Sequence, residues 1–408
     1  MRRVVVTGMG GMTALGNSWK EIKANLQMGK TATSHMPEWV NIDGMNTELA
    51  APIKNTEFLK DRWTRKQMRT MGQVALYSIY ATEQALELAK LSRDPILNSG
   101  RVGVAYGSSY GSTESVREFA DLLFSNSIRK MNATSYIRMM GHTTAVNIGL
   151  FFGLTGRIIP SSTACTSGSL AIGYAMENIQ SGAQDIMIAG GAEELCPSMA
   201  AVFDVLYATS TCNQNPENAP RPYDVNRDGI VIGEGACTLV LEEYEHAVAR
   251  GATLYAELVG FGTNMDGKHV TQPSAETMEI ALRLALKNAN LKPSDIGFIS
   301  GHGTATDQGD IAEALATTAV FKDQTPIHSL KSYFGHTLGA CGSLESWLGI
   351  EMMRDNWFAP TANLKEIDPQ CAGLDHVIEK PRELEINYLM NNNFAFGGIN
   401  TSLIFKKV

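Results

Sequence analysis

The stretch that decides the reading is Arg157-Ile158-Ile159-Pro160-Ser161-Ser162-Thr163-Ala164-Cys165-Thr166-Ser167-Gly168-Ser169, followed by helix-forming residues over 170–180. An apolar run, a turn of small residues and a helical segment describe a strand feeding directly into a helix. That order puts Cys165 at a helix N-terminus, where unpaired N–H groups and the macrodipole favour a thiolate. The small neighbours Ala164, Thr166, Ser167 and Gly168 leave room for a substrate carbonyl to approach. A buried structural cysteine fits the stretch equally well, since free cysteine is among the most buried residue types. Acid–base partners elsewhere in the chain decide between the two.

At 408 residues the chain exceeds the usual ceiling for one core, so two domain-like halves are expected, 1–250 and 251–408. Hydrophobic content of 44% with 19% charged residues excludes a disordered or fibrous protein. A net charge of −8, with no basic run interleaved with aromatics, argues against nucleic-acid binding. The six cysteines (165, 196, 212, 237, 341 and 371) show no CxxC pair and no zinc spacing. Free thiols, a reducing cytoplasmic setting and no metal are therefore expected. No apolar run reaches membrane-spanning length, and the N-terminal run is broken at Thr7-Gly8.

In chain order, a strand over 3–7 ends at Gly8-Met9-Gly10-Gly11, whose spacing fails the dinucleotide fingerprint. Asn17-Ser18 can cap a helix over 19–27, residues 30–60 read as a loop excursion, and a basic cluster over 60–69 leads into a helix over 71–89. Strands are expected at 102–106, 185–189, 237–241, 254–260, 296–300, 327–330 and 401–405. Helices are expected at 275–288, 311–321 and 338–353. This alternation is an α/β pattern in two similar halves.

Two histidines stand in glycine-bounded turns after strands, as Cys165 does: Gly301-His302-Gly303-Thr304 and Gly335-His336-Thr337-Leu338-Gly339. Histidine moves its proton near neutral pH, so two of them beside a thiol suit proton transfer or oxyanion stabilisation. A single histidine held in a turn by backbone hydrogen bonds needs no such role; three coincident placements favour one.

With these turns, Val4-Val5-Val6-Thr7-Gly8-Met9-Gly10, Ala189-Gly190-Gly191-Ala192-Glu193, Arg227-Asp228-Gly229, Lys331 ahead of Gly335-His336, and Phe394-Ala395-Phe396-Gly397-Gly398 stand in a family's order over nearly the whole chain. The sequence resembles the β-ketoacyl-acyl carrier protein synthases, in the elongating type I/II branch of the thiolase superfamily. The resemblance implies a thiolase-like five-layer αβαβα fold, two halves each with a mixed five-stranded sheet. It also implies decarboxylative Claisen condensation. Cys165 would carry the acyl chain, His302 and His336 would serve decarboxylation and the enolate, and Lys331 would set the charge of the site. Glu345, Asp310, Gly397 and Gly398 would support it. Phe396 would gate it, Thr304, Thr306 and Thr271 would line the pantetheine tunnel, and Phe203 and Tyr110 the acyl pocket. No cofactor is implied beyond the phosphopantetheine of an acidic acyl carrier protein, for which Arg65, Lys66, Arg69, Arg129 and Lys130 form the expected dock. Dimerisation is implied through an edge strand near 158–164, as a homodimer or as a heterodimer with a chain-length partner.

Departures narrow the substrate. Asn392-Asn393-Phe394-Ala395-Phe396 and Leu330-Lys331-Ser332-Tyr333-Phe334-Gly335-His336 are similar to the ketosynthases of bacterial aryl polyene pathways, with ordinary fatty-acid elongation as the alternative. Tyr110 and Tyr207 stand where a smaller residue and an arginine are commoner. A thiolase would need a second cysteine after Cys371, an initiating type III synthase would lack His336, and a non-catalytic chain-length subunit would lack Cys165.

Overall fold

The two halves of the chain meet at the first strand. The structure, a computed structural model, describes residues 1–129, 131–322 and 325–408. In the first half Val4–Thr13 (β1), Val102–Gly107 (β2), Ile158–Ser161 (β3), Ile186–Glu193 (β4) and Gly235–Glu243 (β5) pair in the order β1-β5-β4-β2-β3. In the second, Ala256–Met265 (β6), Phe298–Ser300 (β7), Pro326–His328 (β8), Tyr388–Ala395 (β9) and Ile399–Lys406 (β10) pair in the order β6-β10-β9-β7-β8. Each set holds three parallel strands followed by two antiparallel ones, so the second half repeats the first. Val4, Val5 and Val6 pair antiparallel with Leu258, Glu257 and Ala256 and join the sets into one sheet, with Asp375–His376 added at its far edge.

Helix Gln73–Leu88 (α1) covers the outer face of the first set, and Ser167–Gln180 (α2) its inner face. Ala275–Ala289 (α3), with Asp307–Phe321 (α4) beside it, covers the outer face of the second set, and Cys341–Asp355 (α5) joins α2 in the middle. These are the five layers. The period of two in each strand divides the core between them: Ile186 and Ile188 pack outward with Val74 and Leu86, whereas Met187 and Ala189 pack inward with Leu170 and Leu348. Every residue of α5 from Cys341 to Met353 is buried, as befits a helix between two sheets.

Two strands run on through glycines that were expected to end them, for one reason. The glycines after Val6 do not end β1; they continue it to Thr13, past an irregularity between Val6 and Gly8. A Cβ on Gly8 would lie 2.2 Å from the Ala85 carbonyl oxygen, and one on Gly10 2.7 Å from that of Ala81, so glycine lets α1 press onto the strand. Likewise β4 runs through Gly190-Gly191 to Glu193. Strand β9 was not expected, because Asn391-Asn392-Asn393 is a poor strand sequence; burial between β7 and β10 overrides propensity. The excursion over 30–60 is mostly loop, with one short pairing of Ser34–His35 and Leu49–Ala51. Strand β3 ends the sheet, its Ile158 46% exposed. Among the described residues no helix is long and apolar enough to cross a membrane.

Candidate active site

Cys165 lies between β3 and α2, in a tight turn over Ala164–Thr166. The hydroxyls around it latch the turn: Thr163 N–H donates to Ser167 Oγ (2.9 Å), Ser167 Oγ to the Ala164 carbonyl (2.7 Å) and Thr166 Oγ1 to the Thr163 carbonyl (2.8 Å). Ala164 is held at φ 49°, a conformation that costs an alanine about 1–3 kcal/mol and is kept only where surroundings enforce it. Burial pushes the thiol up to about 12; Lys331 and the backbone N–H groups of Cys165 and Phe396, aimed at the sulfur, work against that rise. The resting thiol is therefore protonated, and the same two amides form a site for negative charge.

His302 follows β7 and His336 follows the helical turn Lys331–Phe334; both rings are buried. His336 Nε2 lies 2.9 Å from Cys165 Sγ, and the two rings meet edge to face at 5.2 Å between centroids. The sulfur and one nitrogen of each ring all lie within 4.8 Å of one another. The Leu338 N–H donates to His336 Nδ1 (3.2 Å), so Nδ1 is the acceptor and the ring proton sits on Nε2, facing Cys165. Burial first, then the Lys331 charge, hold both imidazoles well below their ordinary pKa. Two neutral rings thus surround the thiol, and His336 is a donor.

Lys331 is paired with Glu345, both fully enclosed; burial opposes the ammonium, but Glu345 outweighs it and keeps Lys331 charged. Asn393 Nδ2 donates to the other Glu345 oxygen (2.7 Å) and lies 3.5 Å from His302 Nδ1, while its Oδ1 accepts from Ser169 on α2. Asn393 and Glu313 were missed as site residues. The signal for Asn393 was the polar triplet inside an otherwise apolar segment; Glu313 carried none, being one acidic residue of a helix. Glu313 accepts from His302 N–H and Gly303 N–H (both 2.6 Å), and Asp310 from Thr304 N–H (2.9 Å), Ala305 N–H (3.2 Å) and Tyr223 N–H (2.8 Å). Arg227 closes this network on Asp307 (3.0 Å), Asp310 (3.8 Å) and Asp368 (2.5 Å). Its place in Arg227-Asp228-Gly229 is thus to fasten the His302 loop.

A cavity of about 550 Å³ opens from Cys165, His302 and His336 to the surface at Leu206, Tyr207 and Val270. Thr271, Thr304, Thr306, Phe203, Phe396, Gly398 and Asp310 also line it. The Phe203 and Phe396 rings lie 4.9 Å apart, and Gly397 and Gly398 follow at φ 86° and 70°. Two adjacent left-handed glycines are what a movable loop requires. Tyr110 does not reach the cavity: it is 44% exposed on the loop after β2. Tyr207, at the mouth, is 88% exposed. Arg65, Lys66, Arg69 and Arg129 are all exposed, and none is in an ion pair among the described residues; Lys130 lies outside the described residues.

The chain matches the models of the β-ketoacyl synthase N-terminal domain over residues 1–247 and C-terminal domain over 255–365. It is 36% identical over 412 residues to 3-oxoacyl-[acyl-carrier-protein] synthase 1 of Escherichia coli, both chains being covered entirely. A crystal structure of a β-ketoacyl synthase from Burkholderia phymatum superposes with a TM-score of 0.98 at 56% identity, covering all of both chains. A type II polyketide ketosynthase solved with its acyl-carrier protein superposes at 0.88 with 30% identity, over all of this chain and 99% of that one. With a thiol, two neutral imidazoles and a buried ammonium converging in a thiolase-like frame, the chain belongs to the β-ketoacyl synthase family of condensing acyltransferases.

Proposed function

We propose that the site elongates an acyl chain on Cys165 by decarboxylative condensation with malonyl-carrier protein. The observation that carries this reading is His336 Nε2 at 2.9 Å from Cys165 Sγ with His302 in the same 4.8 Å cluster. Cys165 attacks the carrier-bound thioester; the new C–S bond forms as the pantetheine thiol leaves, taking up the proton that Cys165 gives up. Malonyl-carrier protein then enters, its carboxylate leaves as carbon dioxide, and the freed electron pair becomes an enolate. Neutral His302 and His336 hold the enolate oxygen, each preplaced donor contributing about 3 kcal/mol. The enolate carbon attacks the Cys165 thioester, whose oxyanion rests on the Cys165 and Phe396 N–H groups. Collapse breaks the C–S bond, and the leaving sulfur takes a proton from solvent that reaches it through the open cavity. Lys331 stays charged and keeps both rings neutral.

Phe396 acts as the gate, and Thr271, Thr304 and Thr306 guide the pantetheine arm. Arg65, Lys66, Arg69 and Arg129, exposed and unspent, dock an acidic carrier protein; the related ketosynthase solved with its acyl-carrier protein supports this. The protein works without a bound cofactor, as a homodimer through the free edge of β3. The substrates are aryl polyene intermediates, a reading supported by the residues over 330–336 and 392–396. A second reading, fatty-acid elongation, is favoured by relatives named 3-oxoacyl-[acyl-carrier-protein] synthase. Mass spectrometry of carrier-bound products from aryl-polyene and saturated primers separates them. No acyl mass on Cys165 with any primer, and extension by Cys165→Ala at the wild-type rate, would refute both.

A further inference from the structure

Glu193 is a buried carboxylate that the roles above leave unused. Glu193 ends β4, is fully enclosed and has no cationic partner among the described residues. It accepts from Gly339 N–H (3.1 Å), Ser109 N–H (2.8 Å), Ser109 Oγ and Ser108 Oγ (3.2 Å). It therefore ties the loop after β2 to the turn that follows His336. That turn is packed against backbone: a Cβ on Gly339 would lie 2.8 Å from Ser109 N, and one on Gly191 2.3 Å from the Gly339 carbonyl oxygen. Between His336 and Gly339 stands Leu338, at φ 44°, a left-handed conformation that leucine does not take unaided. Its two flanking peptides do different work. The N–H ahead of it donates to His336 Nδ1, and the N–H after it donates to Glu193.

We infer that Glu193 is a positioning residue: by fixing the Leu338–Gly339 peptide it holds Leu338 left-handed, and so holds His336 in the tautomer that donates from Nε2. Without that acceptor Leu338 relaxes, its N–H leaves Nδ1, and the ring proton can move there. Nε2 then faces Cys165 as an acceptor. It can still take the thiol proton, but it no longer offers a donor to an enolate. The two half-reactions therefore separate. This inference rests on the reading of His336 as an enolate donor.

The test is Glu193→Met in the full-length protein labelled with ¹⁵N-histidine. Methionine has a similar length but offers no oxygen to the Gly339 N–H, which in the wild type bonds the same carboxylate oxygen as Ser109. We expect His336 to leave the Nε2–H tautomer and malonyl-carrier protein decarboxylation to fall about tenfold or more. Acyl transfer to Cys165 should stay within about threefold of wild type. A folded variant that keeps the Nε2–H tautomer, or loses both half-reactions equally, overturns the inference. If the variant does not fold, the wild type decides. Burial raises Glu193 to about 7 against the bonds from Ser109, Gly339 and Ser108, so lowering the pH from 8 to 6 protonates it. The Gly339 amide and the His336 ring nitrogens should then shift with one midpoint; separate midpoints overturn the inference. The other ionisable groups nearby do not mimic this. Cys165 stays protonated, Glu194 and Glu234 bond elsewhere, to Val74 N–H and Thr113 and to Ile53 N–H and Tyr77, and Asp310, also near 7, touches the His302 loop. If wild-type protein does not decarboxylate malonyl-carrier protein, the condensing reading fails while the tautomer measurement still decides the role of Glu193.

Discussion

Replacing Lys331 by methionine removes the one ammonium beside two imidazoles and leaves Glu345 alone. Lys331 is 1% exposed and Glu345 not at all, so water cannot take the place of the missing charge. Breaking a buried pair from one side costs about 3–5 kcal/mol, a large part of the about 5–15 kcal/mol that holds a domain together. The Asn393 amide still donates to Glu345 but supplies no charge. Burial already raises Glu345 above its ordinary value against Lys331 and Asn393; without Lys331 it rises further and Glu345 takes up a proton, well above the unfolded value of about 4.3. Between those two values the native variant holds a proton that the unfolded chain has released, so its stability falls as pH rises. The loss relative to wild type should be larger at pH 8 than at pH 6. Urea unfolding at both pH values measures it, together with Lys331→Met/Glu345→Gln, which should regain about 2 kcal/mol or more by removing the stranded charge. A loss below about 1 kcal/mol at pH 8, equal losses at the two pH values, or a double variant no more stable than the single one would refute this reasoning.

Gly10→Ala should destabilise by about 1–3 kcal/mol in thermal unfolding, because its Cβ would meet the Ala81 carbonyl at 2.7 Å; an unchanged melting temperature would show that α1 can retreat freely. Burial holds His302 and His336 well below the ordinary imidazole pKa, so both rings should stay uncharged from pH 8 down to about 6; conversion of either ring to imidazolium within that range, as distinct from a change of neutral tautomer, contradicts the site electrostatics. In Lys331→Met the same resonances should begin to titrate at higher pH than in wild type, since a charge that depresses both is gone. Reversing charge with Lys66→Glu and Arg69→Glu should raise the KM for carrier protein severalfold at low salt and less at high salt, with kcat nearly unchanged; a KM insensitive to both places the dock elsewhere.

Where the sequence was legible, a side chain's chemistry and its local frame coincided. Cys165 and His302 each sit in a glycine- or small-residue turn after a strand, and such turns are written in consecutive residues; His336 was expected there too, but the helical turn Lys331–Phe334 stands between its glycine and the strand. The supports were legible only in part. Asp310 and Glu345 were reached through resemblance, and Asn393 and Glu313 not at all, because nothing in the residue type or its neighbours distinguishes a side chain turned inward onto a loop or an ion pair from one that faces water. Tyr110 shows the reverse error: the resemblance places it in the acyl pocket, yet the loop after β2 turns it outward to 44% exposure. The glycines of β1 and β4 misled for a related reason. Glycine usually marks a turn, but Gly8, Gly10 and Gly191 are small because α1 and the Gly339 turn press against them, and that pressure comes from residues far along the chain.

By itself, then, the sequence determined the alternation of strands and helices, the doubling into two halves and the turns that carry Cys165, His302 and His336, since periodicity and turn chemistry are local properties. Only the tertiary structure decided which ring nitrogen of His336 carries the proton, which carboxylates hold the histidine loops, and that the thiol rests protonated. Those are set by burial and by how the turns close: the Leu338 N–H on His336 Nδ1 and Glu313 on the His302 loop are near in sequence but formed only by the folded turn, whereas Glu193 with Gly339, 146 positions apart, exists only once the two halves have closed on each other.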